Sequence, residues 1–176
     1  MKRIIVMLVA VSLACSAPAR AQGVENILIT HAGARPSRIA PAEHFTGTVH
    51  VQLLFDTTAT TRSSGSCVSF DAGARTAWHS HSRGQILIVI SGVGRVQRWG
   101  APAEEIRNGD VVWIPPNVKH WHGASPTIAM THIAVQEHLD GRSVDWGEQV
   151  SAAQYAAPVG NPDGPQPSRG QHLRAG

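Results

Sequence analysis

Apolar and polar residues alternate along the middle of this chain. Val49, Val51 and Leu53 are separated by His50 and Gln52, and Val68 and Phe70 flank Ser69. A period of two predicts strands with one buried face. From Phe45 onward the runs are short: "GTVHVQLLF", "SCVSFDAG", "TAWHSH", "QILIVISG", "GRVQRWG", "AEEIRNGD", "VVWIPP" and "IAMTHIAVQEH". Gly, Asn, Asp and Pro punctuate them, which predicts an all-β sandwich or small barrel. Helical periodicity is weak except over "GEQVSAAQY", residues 147–155. Ahead of the β-rich region, "ENILIT" reads as a short strand and "HAGARPSRIAPAE" as loop.

The ends have a different texture. Residues 1–21 begin with Lys2 and Arg3, continue with an apolar run over residues 4–13 and reach Ala19-Arg20-Ala21. That is the pattern of a cleaved secretory signal peptide, too short to span a bilayer. An anchored lipoprotein through Cys15 is the alternative, disfavoured by Ser12 where an aliphatic residue is wanted. The expected organisation is a leader (1–21), an N-terminal arm (22–44), one β domain (45–146), a short helix (147–157) and a disordered Pro/Gly-rich tail (158–176). The expected location is periplasmic or secreted.

Export changes the charge balance. The whole chain carries 15 Lys and Arg against 12 Asp and Glu, net +3. The leader contributes Lys2, Arg3 and Arg20 and no acid, so the exported chain has 12 of each. No basic field is left to attract nucleic acid or an anionic membrane. Only Cys67 remains, so no internal disulfide can form.

Candidate chemistry lies in three stretches. His79 and His81 stand two apart in "GARTAWHSHSRGQ". On a strand such a pair shares one face, with Cα atoms roughly 6.6 Å apart. Two imidazoles can then converge on one ion at about 2.1 Å. Gly84 permits a turn, so Gln85 can point back toward them, with Leu87 and Val89 on its face. In "NGDVVWIPPNVKHWHGA", His120 and His122 again share a face. A third run places Met130, His132, Ala134 and Gln136 together. Polar, metal-capable residues on alternating positions of three strands suit a site better than an apolar core.

These residues carry a family resemblance. Gly73-x5-His79-x-His81-x3-Gln85-x6-Gly92 is similar to the first cupin motif, and Gly109-x5-Pro115-x-Asn117-x2-His120 to the second. The resemblance implies a double-stranded β-helix, or jelly-roll barrel, with His79, His81, Gln85 and His120 as metal ligands. Two positions depart from the usual pattern: Gln85 replaces Glu, and Asn117 replaces Gly. Asn tolerates left-handed backbone, so the turn should survive. Gln85 makes the donor set wholly neutral, which disfavours an oxidised metal and sharpens Lewis acidity.

"HFTGTV", "GARTAWHSH", "GQILIV", "GDVVWIPPNVKHWHGASPTIAMTHIAVQE", "LDG" and "VDW" extend the likeness. They resemble small single-domain cupins that act as manganese-dependent (R)-hydroxynitrile lyases, and cupin segments found beside carboxymuconolactone-decarboxylase-like domains. The resemblance implies Mn, with Fe, Zn or Ni as alternatives. It implies cleavage of an aromatic cyanohydrin such as mandelonitrile into aldehyde and HCN. His122 is the expected base, with a pKa near that of a free imidazole, and His132 is expected to orient it or bind the nitrile. Ser66, Val68, Phe70 and Gln136 are the expected pocket wall. Another metal-dependent cupin enzyme, such as a dioxygenase, or a small-molecule binder stands as the alternative. The expected partners are a small-molecule substrate and further copies of the chain, as a dimer or tetramer.

Overall fold

The computed structural model describes residues 26–160. Residues 1–25, with the leader expected over 1–21, and residues 161–176, most of the expected tail, lie outside the described residues. Residues 26–30 have no regular structure in the single chain, with Ile27 and Leu28 exposed. A 3-10 turn follows at Ala32–Ala34.

Twelve strands then form: β1 Ser37–Ile39, β2 Phe45–Thr46, β3 Val49–Phe55, β4 Ser63–Phe70, β5 Arg75–Thr76, β6 His79–Ser80, β7 Gln85–Arg98, β8 Glu104–Arg107, β9 Val111–Ile114, β10 His120–Ala124, β11 Met130–Glu137 and β12 Asp145–Trp146. All their pairings are antiparallel. The sheet runs β1-β3-β4-β11-β7-β10-β5-β2 and curls into an all-β half-barrel. The segment read as loop contains β1, which caps the edge by pairing with β3. Edge strands need such cover.

Two runs expected as separate strands are one. β7 continues for 14 residues, pairing with β11 and β9 through its first half and with β10 and β8 through its second. Its alternation is strict at the start. Gln85, Leu87 and Val89 are buried, while Ile86, Ile88 and Ile90 stay exposed. Val89 joins Val49, Val68, Phe70 and Met130 in the main core, and Leu87 packs with Ile114 and Ala134 in a smaller one. Each such side chain contributes about 1.5–3 kcal/mol through burial.

A second core lies on the other face of β10, where Trp121 packs with Trp78, Ala103 and Val150. Helix α1, Ala152–Ala156, closes it, shorter than the sequence pattern implied. Ser151 and Gln154 form a reciprocal capping box that starts the helix. The Tyr155 hydroxyl donates to the Ala124 carbonyl at 2.8 Å, and the Arg75 guanidinium lies 4.5 Å from its ring centre. Arg75 also donates to the Val150 carbonyl at 3.0 Å. The chain stays attached beyond the boundary expected at Pro158: Val159 bridges Ala103, and Gly160 N–H donates to its carbonyl at 2.7 Å.

Gly92 marks the point where β7 passes from one half of the sheet to the other. Its φ is +77°, and a Cβ there would collide with the Ala129 carbonyl oxygen. Gly100 has φ +76° but nothing within 4 Å of its Cβ position. Gly92→Ala is expected to lower stability by about 2–4 kcal/mol, combining strain with collision. Gly100→Ala should cost only about 1 kcal/mol, the left-handed backbone penalty alone. Urea midpoints of the two variants check this, and equal losses would remove the role assigned to the Ala129 contact.

Candidate metal centre

The histidines converge because the strands place them in register. His79 in β6 stands directly across from His120 in β10. Gln85 opens β7 opposite Gln136 of β11, as the alternation requires. The turn over residues 115–118 delivers His120 to its strand. Asn117 sits at φ +60°, the left-handed conformation expected of the Gly it replaces, and its N–H donates to the His81 carbonyl at 2.9 Å. One hydrogen bond therefore ties the two histidine-bearing segments together.

His79, His81, His120, His122 and His132 are all buried. The ligand atoms of His79, His120 and His122 lie within 4.8 Å of one another, so these three could hold a metal ion. The His81 ring is 5.2 Å from that of His79 and 5.6 Å from that of His120. Hydrogen bonding sorts the five. Nδ1 of His79, His81 and His120 lies 2.9, 2.6 and 2.8 Å from the carbonyls of Ala77, Ser143 and Val118. A carbonyl only accepts, so each Nδ1 carries the proton and each Nε2 presents a lone pair. Such outer hydrogen bonds orient metal-ligating imidazoles.

Two features fit a bound cation. His81 Nε2 is buried and without a partner. His120 Nε2 stands 3.3 Å from Gln85 Oε1. With the His120 proton on Nδ1 both atoms are acceptors, an arrangement that suits a shared cation. His122 differs: its Nδ1 is 3.1 Å from His132 Nε2, and its own Nε2 is buried and unpartnered.

A cavity of about 160 Å³ opens onto the cluster. Ser66, Val68 and Gln136 line it as expected, together with His132. Phe70 does not form wall. It is buried behind the imidazoles, its ring 5.9 Å from His122 and 5.5 Å from His132, because the strand's inner face turns into the core there. Phe45, Thr76, Ser143 and Trp146 also line the cavity and had no assigned role. Trp146 in β12 pairs across from His79, with ring centres 4.9 Å apart. Its "VDW" segment formed part of the family likeness, and that was its only signal.

Burial also corrects the basicity expected of His122. Desolvation, then the neighbouring imidazoles, hold His79 and His122 well below the ordinary histidine pKa. Desolvation brings His120 and His132 to about 4, and it lowers His81 as well. The unfolded chain therefore binds more protons than the folded one between about pH 4 and the ordinary 6.5. The stability contributed is fully present above 6.5 and falls as pH drops toward 4. Thermal melts of chelator-treated protein should show Tm falling steadily across that window. A flat Tm from 6.5 to 5 would contradict it.

Comparison with known proteins agrees with this geometry. Residues 66–133 match the family described as Cupin domain. An (R)-mandelonitrile lyase from Granulicella tundricola is 53% identical over 127 residues, covering 72% of this chain and 97% of that protein. The crystal structure of a cupin-like protein from Thermotoga maritima is 42% identical with a TM-score of 0.64, covering 66% of this chain and 89% of that one. The polyketide cyclase RemF from Streptomyces resistomycificus shares the fold, with a TM-score of 0.59 at 17% identity over 74% of this chain and 91% of that one. The chain belongs to the cupin family, as a small cupin resembling hydroxynitrile lyases.

Proposed function

We propose that this protein is a manganese-dependent hydroxynitrile lyase that cleaves aromatic cyanohydrins to an aldehyde and HCN, and runs the reverse addition. The observation that carries this reading is 53% identity to an (R)-mandelonitrile lyase across nearly all of that protein, joined to a buried imidazole cluster facing a cavity. His79, His81, Gln85 and His120 would hold the ion. Three of them share the pattern of an Nδ1 proton tied to a backbone carbonyl, which His122 lacks. Bound there, a divalent ion supplies Lewis acidity toward the substrate hydroxyl oxygen.

The remaining steps belong to the side chains. His122 takes the hydroxyl proton on Nε2, the orphaned nitrogen that faces the cluster. For Nε2 to be free, the resting proton of His122 sits on Nδ1 and donates to His132 Nε2, which orients the base. The depressed basicity keeps His122 neutral and ready near neutral pH. As the carbonyl forms, the bond to cyanide breaks and its electron pair leaves on carbon. Cyanide then recovers the proton from His122, so HCN departs and the base is regenerated. Phe45, Val68 and Trp146 give the ring of the substrate an apolar seat.

Aldehyde release from racemic mandelonitrile tests the reading. The rate should exceed the spontaneous one, vanish on chelation and return with Mn(II); a rate indifferent to chelator sinks it. Gln85→Glu adds a negative charge to a neutral donor set and should lower the rate by roughly tenfold, about 1.4 kcal/mol of transition-state stabilisation. His122→Ala should retain metal yet lose on the order of a hundredfold in kcat. His81→Ala should lose the metal itself. Elemental analysis of the two variants separates the roles, and metal lost only from His122→Ala would exchange them.

A further inference from the structure

Gln136 faces the cavity with one half of its amide unused. Its Oε1 is buried and has no partner. Its Nε2 donates to Ser64 Oγ at 3.2 Å. Ser64 stands directly across from Gln136 in the β4–β11 register and is itself buried. Ser64 Oγ in turn lies 2.9 Å from Nε2 of His138. A hydroxyl has one proton and two lone pairs, so Ser64 accepts from Gln136 and still has capacity to bond His138. Three side chains thus form a continuous run of hydrogen bonds from the cavity wall to the surface.

We propose that Ser64 and His138 are positioning residues that set the polarity of the cavity wall, holding Gln136 with its carbonyl oxygen inward to accept a donor on the substrate. The proposal rests on the reading of this cavity as the substrate pocket, and it deepens that reading. The favoured substrate is an aromatic compound bearing a hydroxyl or similar donor on its ring, rather than a bare ring. A buried acceptor left empty is costly, which is what gives such a wall its discrimination.

His138 lies on the rim of a polar surface cavity that also carries Asp56, Arg62 and Asp140, with Glu137 beside it on β11. Its backbone N–H donates to the Arg62 carbonyl at 2.9 Å.

Calorimetric binding to the metal-loaded protein tests this without turnover. The probes are 4-hydroxybenzyl alcohol, which offers a ring donor, and 4-methoxybenzyl alcohol, which offers only an acceptor. Neither ionises near neutral pH. The wild type should favour the hydroxy compound by roughly five- to tenfold, the worth of one hydrogen bond. Ser64→Ala and His138→Ala should each bring the ratio close to one, while Ser64→Thr, which keeps the hydroxyl, should restore it. His138 is half-buried at the rim, so its replacement leaves the core packing in place. An unchanged ratio in both alanine variants, or equal weakening of both probes, overturns the proposal. A wild-type ratio of one with intact mandelonitrile cleavage overturns it alone. Failure of both probes to bind overturns the pocket reading with it.

Discussion

Lone pairs that the protein itself does not satisfy govern this molecule. Five buried imidazoles cluster together, and four of them line one small cavity whose lining includes no carboxylate. Three of the five give their only proton to backbone carbonyls, which leaves Nε2 of each a bare acceptor; that of His81 is buried without a partner and that of His120 faces the Gln85 carbonyl oxygen. Burying unpaired polar groups opposes folding, and burial already drives these rings to their neutral form. A divalent cation resolves both problems together, since it needs neutral imidazoles and supplies the missing partner.

The fold serves that arrangement by bringing distant segments into exact opposition of side chains. β6 and β10 set His79 against His120, β7 and β11 set Gln85 against Gln136, and β12 brings Trp146 against His79. A slip of one residue in any pairing would turn the ligands outward. Register is held by the buried faces of β7 and β11 and by the Asn117–His81 backbone bond. The outer ends of the site are thus fixed by the same hydrophobic alternation that builds the core.

That alternation is why so much could be read from the chain. His79 and His81, or His120 and His122, stand two apart and precede or follow turns marked by Gly84 and by Pro115, Pro116 and Asn117, so local rules suffice to face them together. Gln136 and Val68 follow by the same count. What escaped depends on long-range packing. Trp146 reaches the site only because β12 pairs with a strand more than sixty positions earlier, a contact no local pattern encodes. Phe70 keeps the parity of Ser66 and Val68, yet the curl of the sheet carries it behind the imidazoles. β1 lies in a stretch rich in Pro, Arg and Ala that resembles loop, and its strand exists because β3 offers an open edge. The basicity of His122 likewise depends on burial, which sequence spacing does not reveal.

The Trp121 side of β10 sets the tolerance of the candidate metal centre. His120 and His122 project from one face of a five-residue strand, while Trp121 and the segment from Val150 to Tyr155 brace the other. Coordination geometry is met only within about 0.2 Å. A strand that short, free on its back, would wander by more than that through ordinary thermal motion. The indole and its cover act as an anvil: they do no chemistry, yet they limit how far the ligand strand can recoil. If the site holds an ion, its choice would be written partly in residues that never meet it, and drift in this outer packing would alter selectivity between metals of similar charge before it altered the ligating residues themselves.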